Sequence, residues 1–369
     1  MLQILILSGS TGEGHNSCAK AIKEKFESNS HSCTIVDSFL FFSPFIAKAI
    51  SAGHSLIYRY VPFMFRYGYA FFEKHSKIYS GSSLLDSFFS WGGKKLAAYI
   101  NSNNYDIIIC AHAFSAFMLT KAQKYLKYES KTAFVATDFT CSPTAEKSIV
   151  DTFFIPHESL MDEFANLGVD KTKIIPVGIP VRSDFYNTVD KQYAKQTVGV
   201  NPKNKHLLIM CGSMGCGPIS NITLKIAKQV SMDTEITVIC GKNKSLFKRL
   251  SCIHKGNPNV HICGFTDKIS LYMDSADVYM TKPGGISLSE GSVKKLPMVI
   301  LESVGGCESH NLTFYKCHGA ALGGTKDCNT VNCCIELLND NDLCIQMKEN
   351  LSALKIDDAI NQIYNVLIK

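Results

Sequence analysis

Residues 3–28 read QILILSGSTGEGHNSCAKAIKEKFES, and their pattern decides the fold class. Gln3 to Leu7 is an unbroken apolar run, which suits a parallel strand covered on both faces. Gly9, Gly12 and Gly14 then make a turn, and Ala19, Ile22 and Phe26 recur at helical spacing on one face of the next segment. The next apolar run, Cys33 to Val36, ends at Asp37. Strand, glycine turn, helix and strand form a βαβ unit, which predicts a parallel sheet that binds ligands at the C-terminal ends of its strands. His15 opens the helix, where the positive helix end disfavours an imidazolium. It is either a neutral base or a histidine that only caps and packs the turn.

The pattern continues outward. Strands are predicted at 105–111, 132–136, 151–155 and 173–176, with His112 and Asp138 at strand C-terminal ends on the rim that carries His15. Either His112 or Asp138 reads equally as a loop anchor, and for His112 that reading is preferred. The polar stretch up to Lys205 reads as a domain connection. His206 to Met210 restarts the pattern and leads into CGSMGCG, a second glycine loop, and strands come next at 235–240, 260–263, 276–280 and 297–301. Between the last two lies KPGGISLSE, residues 282–290. A strand feeding a Pro-Gly-Gly turn and a helix start presents backbone N–H groups and a positive dipole end to an anion, and Gly284 and Gly285 carry no Cβ to hold a phosphate away. Glu290 lies one and a half turns into that helix, placed for vicinal hydroxyls such as those of a ribose. Lys282 is either a phosphate contact or an ordinary surface lysine. Glu308 and Asn311 either read sugar hydroxyls or cap a helix, and Asp340-Asn341-Asp342 reads as a cap and turn rather than a metal-binding D-x-D.

Composition bounds the rest. A chain of 369 residues with 46% hydrophobic and 19% charged residues predicts a folded protein of two domains. Residues 39–90 hold 15 of the chain's aromatics, with five Lys and Arg against two carboxylates. Such interleaving suits either an interface with anionic lipid or a pair of buried helices. Nucleic acid is disfavoured because the cations are sparse and dispersed. The 15 cysteines are scattered without metal-ligand spacing, which predicts reduced, mostly buried thiols and a cytoplasmic protein. No stretch reaches the roughly 18 apolar residues of a membrane span, and the N-terminus has no signal-peptide pattern, so membrane contact is expected to be peripheral, on the inner face of the cell membrane.

STGEGH at 10–15, TDF at 137–139, GIPV at 178–181, CGSMG at 211–215, ICGKN at 239–243, TKPGGISLSE at 281–290 and E-x-x-N at 308–311 occur in an order that resembles monogalactosyldiacylglycerol synthases and processive diacylglycerol glycosyltransferases of glycosyltransferase family 28. The C-terminal half also resembles, more distantly, the N-acetylglucosaminyltransferase that completes the lipid-linked peptidoglycan precursor. The resemblance implies a GT-B architecture of the α/β class, two Rossmann-like domains facing each other across a cleft. It implies an acceptor domain over 1–190, a UDP-sugar domain over 205–345, and a C-terminal helix within 346–369 that packs back on the first domain. Gly212, Ser213, Met214 and Gly215 would form the second glycine loop of the donor site. Gly284, Gly285 and Ile286 would offer N–H groups to the diphosphate, Glu290 would hold the ribose, and Phe265 the uracil through its backbone. Glu308 and Asn311 would face the sugar, His15 and Asp138 would be catalytic, and residues 39–90 would meet the membrane. Three positions depart from the family: Glu13 replaces a usual glycine, Cys307 a usual glutamine, and TDFTCSP lacks a usual His and Trp.

The implied function is inverting transfer of a hexose from a UDP-sugar to a lipid hydroxyl, with diacylglycerol as acceptor and no metal or other cofactor. The alternatives are transfer of GlcNAc to another lipid-linked acceptor, a UDP-sugar epimerase, and a non-catalytic UDP-sugar-binding regulator. The sequence does not choose among glucose, galactose and GlcNAc.

Overall fold

The apolar runs of the first half become β1 (Gln3–Ser8), β2 (Ser32–Asp37), β3 (Ile107–Cys110), β4 (Lys131–Val135), β5 (Thr152–Ile155) and β6 (Ile174–Pro176). Those of the second half become β7 (Lys205–Met210), β8 (Thr234–Ile239), β9 (Val260–Cys263), β10 (Val278–Thr281), β11 (Met298–Ile300) and a short β12 (Leu322–Gly323). These assignments come from a computed structural model, which describes residues 1–9, 12–60, 84–212, 218–302, 305–324, 329–356 and 358–369. Two parallel six-stranded sheets result, ordered β2-β1-β3-β4-β5-β6 and β12-β11-β10-β7-β8-β9. Each sheet's first strand in sequence sits inside it, so the winding reverses beside β1 and beside β7. Ligands of open α/β sheets bind outside the strand C-termini at such reversals.

The chain groups into two units, Met1–Ser183 with Val304–His310 and Ile356–Lys369, and Asp184–Ser303 with Asn311–Lys355. Two boundaries differ from those expected. The stretch read as a connection contains the helix Lys191–Val198, which Lys191 and Lys195 tie to Asp277 at 2.8 and 2.9 Å, so it belongs to the second unit. At the other end the helix Asn341–Ala353 also stays with the second unit. Only the helix Ala359–Leu367 joins the first, where Tyr364 meets the Phe26 ring edge-on at 5.1 Å and its hydroxyl lies 3.2 Å from His31 Nε2.

Burial of the strands and of one face of each helix is the main stabilising term, since β1, β3, β7 and β10 carry side chains wholly removed from water. Among the described cysteines twelve carry no disulfide and most of these are buried, as expected, but Cys333 is disulfide-bonded, which corrects the expectation of a reduced thiol at that position. Cysteine positions along a chain do not reveal which ones folding brings together, so that pair was invisible in the sequence.

Candidate functional site

In the first unit the helix Glu13–Ser28 begins straight after the β1 turn, and the exposed carboxylate of Glu13 lies in its first turn, where the helix dipole favours a negative charge. His15, two residues on, is held from two other strands of the same sheet. Its Nδ1 lies 3.0 Å from the Ala111 carbonyl just past β3, and 2.9 Å from Thr137 Oγ1 just past β4. A carbonyl only accepts, so we assign the proton to Nδ1. In the neutral ring the lone pair is then on Nε2. His112 lies beside it, with ring centroids 4.4 Å apart, and spends its own Nδ1 accepting from Phe114 N as the N-cap of the helix Ala113–Gln123. His112 is thus an anchor, as preferred from the sequence. Gly9 is required here because a Cβ on it would lie 2.8 Å from the His112 ring.

The loop that delivers Thr137 is fixed by Glu163, whose Oε1 accepts from Thr140 Oγ1 and Cys141 N at 2.7 Å each. Asp138 is the next residue along, half-buried. Sequence reasoning missed Thr137 as a candidate, although TDF stands out as a motif. A threonine hydroxyl carries little chemistry by itself, and only the fold shows that it reaches a histidine 122 positions away.

In the second unit KPGG follows β10, next to β7 at the winding reversal. The turn is tight. Gly284 N donates to Lys282 O at 2.8 Å, and Gly284 then serves as the N-cap of the helix Gly285–Val293. This corrects one expectation: the Gly284 N–H closes the turn and is not offered to a ligand. Gly285, Ile286 and Ser287 open the helix, and first-turn N–H groups have no partner within the helix. The helix packs closely on the sheet, because a Cβ on Gly291 would lie 2.7 Å from Met298 Sδ and 3.2 Å from the Tyr279 ring. That packing buries Glu290.

Asn311 is 0% exposed, and its Nδ2 donates to the Pro283 carbonyl at 3.0 Å. Its observed contact is therefore with the turn itself. Glu308 lies in the first turn of the helix Cys307–Cys317, half-buried, and groups with the first unit. Phe265 projects from the end of β9 at 67% exposure, with Lys242 Nζ 6.0 Å from its ring centre. Gly212, two residues past β7, has a left-handed φ of 68°. Ser213, Met214 and Gly215 lie outside the described residues, as do Ser10 and Thr11 of the first glycine turn and residues 61–83 of the aromatic segment. Asp340 caps the helix Asn341–Ala353 by accepting from Leu343 N at 2.9 Å, the role expected for the D-x-D tripeptide.

The described part of the aromatic segment faces both ways. Phe39, Phe42 and Phe89 are buried, and Phe42 stacks on Phe88 at 3.9 Å. Leu40, Phe45 and Trp91 are exposed, and Lys95 Nζ lies 3.9 Å above the Trp91 ring. Among the described residues no helix is long and apolar enough to cross a membrane.

The monogalactosyldiacylglycerol synthase model matches residues 15–181, and the glycosyltransferase family 28 C-terminal domain model matches residues 206–362. The chain belongs to this glycosyltransferase family. It is 26% identical over 363 residues to the processive diacylglycerol beta-glucosyltransferase of Staphylococcus saprophyticus, covering 96% of this chain and 89% of that one. Its identity to the enzyme of the same name from Bacillus subtilis is 25% over 378 residues, covering 100% and 95%. The crystal structure of Acinetobacter baumannii MurG superposes with a TM-score of 0.67 at 12% identity, over 100% of this chain and 99% of that one, which establishes the GT-B fold.

Proposed function

We propose that the chain is an inverting hexosyltransferase that moves the sugar of a UDP-hexose onto the hydroxyl of diacylglycerol. The observation that carries the mechanism is the commitment of His15 Nδ1 to the Ala111 carbonyl, which turns Nε2 into a positioned base. Nε2 takes the acceptor proton as the lipid oxygen attacks C1 of the sugar. The bond from C1 to the diphosphate oxygen breaks on the opposite face, and configuration inverts. The departing diphosphate is met by the N–H groups opening the Gly285–Val293 helix, preorganised donors of the oxyanion-hole type. Glu290 holds the ribose, and no metal cofactor enters this reading. Tight fixing of KPGG by Asn311 and of the Thr137 loop by Glu163 supports it, because stabilisation of this kind needs groups already in place.

The exposed pair Leu40 and Phe45, with Lys95 over Trp91, supports peripheral docking on anionic lipid at the inner face of the membrane. The acceptor is a membrane lipid, so a catalyst held at the surface meets it without extracting it.

The test is incubation with UDP-glucose, UDP-galactose and UDP-GlcNAc in diacylglycerol vesicles, with identification of the lipid product. His15→Ala should lower turnover by about 10²- to 10⁴-fold, the usual contribution of a general base, and leave UDP binding intact. Undiminished turnover overturns the role of His15. Release of an epimerised sugar without lipid, or UDP binding without any UDP release in the presence of lipid, overturns the transferase reading.

A further inference from the structure

Lys282 follows β10 directly, and its side chain lies between Gly212 and Gly284 at the winding reversal of the second sheet. A Cβ built on Gly212, two residues past β7, would lie 3.0 Å from Lys282 Cε and 3.7 Å from Cδ. A Cβ built on Gly284 would lie 3.2 Å from Lys282 Nζ. The aliphatic stem thus reaches from β10 toward Gly212, and the ammonium returns over the N-cap of the Gly285–Val293 helix. Gly284 has φ −81°, which any residue adopts, so the space taken by Lys282 accounts for a glycine there. Surface lysines extend into water to keep their freedom. This one lies half-buried, in space that two glycines keep open, beside the first-turn N–H groups of the helix.

We propose that the Lys282 ammonium binds the diphosphate of the donor and neutralises the charge that builds on it as the bond to the sugar breaks. The inference rests on the UDP-sugar reading and names the cation of that site. The helix end supplies partial charge, about half a unit. A leaving nucleoside diphosphate gains a full negative charge, and a cation that does not dissociate supplies the remainder. Lys282 holds no proton in flight: it stays protonated, the C1–O bond electrons go to the diphosphate, and the ammonium lowers the energy of that anion.

The experiment measures calorimetric affinity for UDP, UMP and uridine, alongside kcat and KM, in the full-length protein and in Lys282→Met, Lys282→Arg and Gly284→Ala. Met retains the apolar stem and removes the charge. Lys282→Met should bind UDP about ten- to a hundredfold more weakly, as expected for loss of a charge-assisted hydrogen bond, with uridine affinity unchanged and kcat reduced. Lys282→Arg should recover part of both. Gly284→Ala should weaken UDP and spare uridine by displacing the ammonium. Uridine and UDP weakened equally would show a merely structural lysine, and UDP affinity within twofold of the unmodified protein would also overturn the proposal. Failure of the unmodified protein to bind either UDP or uridine would overturn the UDP-sugar reading itself, a result distinct from both.

Discussion

Asn311→Leu separates two roles for a residue first read as a reader of sugar hydroxyls. Leucine nearly matches asparagine in shape, so the substitution removes the amide without opening a large cavity. Asn311 is fully buried, and its Nδ2 donates at 3.0 Å to the carbonyl of Pro283, itself a buried residue. Loss of the donor leaves that carbonyl unsatisfied, at about 1–3 kcal/mol. A unit of this size loses about 2–4 °C of Tm per kcal/mol, which predicts a fall of about 2–12 °C in the unfolding of the second unit. The turn carries the N-cap of the Gly285–Val293 helix, so UDP affinity should fall with it. Scanning calorimetry reads the first quantity and UDP titration the second. A residue that only reads the sugar would instead leave Tm and UDP affinity intact and weaken UDP-hexose alone. That pattern would refute the assignment of Asn311 as the support of the turn.

Thr137→Val keeps the shape of the side chain and removes one of the two groups on His15 Nδ1, leaving the Ala111 carbonyl in place. Turnover should fall about two- to tenfold with KM for the donor unchanged, the net worth of one hydrogen bond; a drop as large as that of His15→Ala would show the tautomer assignment to be wrong. His206 is buried, which lowers its pKa to about 4, and it sits between Thr237 Oγ1 and Ser275 Oγ at 2.8 and 3.0 Å. Its folded pKa lies below the unfolded value of about 6.5, so the unfolded chain binds the proton more readily. The contribution is whole above about pH 6.5 and is lost at about 1.4 kcal/mol per unit as pH falls toward 4. Urea midpoints at pH 7, 6 and 5 should drop more steeply for the native chain than for His206→Asn, and parallel slopes would contradict this. Phe45 is 81% exposed, and Phe45→Ser should reduce sedimentation with anionic vesicles while leaving UDP affinity unchanged; unaltered sedimentation would remove Phe45 from the membrane surface.

Periodicity and glycine turns made both sheets legible, because a buried parallel strand has to be apolar on both faces and the turn after it has to let backbone approach a ligand. The KPGG turn was recognisable for the same reason, and so was His15 at the head of its helix. What the sequence hid was pairing across distance. Thr137 meets His15 only because β4 lies two strands from β1, and Asn311 reaches Pro283 only because its helix packs over the turn. The helix Lys191–Val198 was hidden by its polarity. Lys191 and Lys195 look like linker residues until Asp277 is placed beside them. Gly284 was misread in one respect, since a one-dimensional pattern does not show that its N–H turns inward to Lys282.

The two units use one device, a glycine turn leading from the first or an inner strand to a helix, and set its charge in opposite ways. In the first, the carboxylate of Glu13 stands at the positive helix end, where it offsets the dipole and opposes a phosphate. Such an end is unfavourable to an anion, in keeping with the neutral hydroxyl acceptor proposed for it. In the second, no Asp or Glu occupies the first turn of the Gly285–Val293 helix, and the Lys282 ammonium lies against its N-cap, so dipole and side chain both favour an anion. The departure at Glu13 from the usual glycine of the family therefore has a physical reading. It makes the turn after β1 less welcoming to a diphosphate than KPGG, which supports the proposed placing of donor and acceptor on different units.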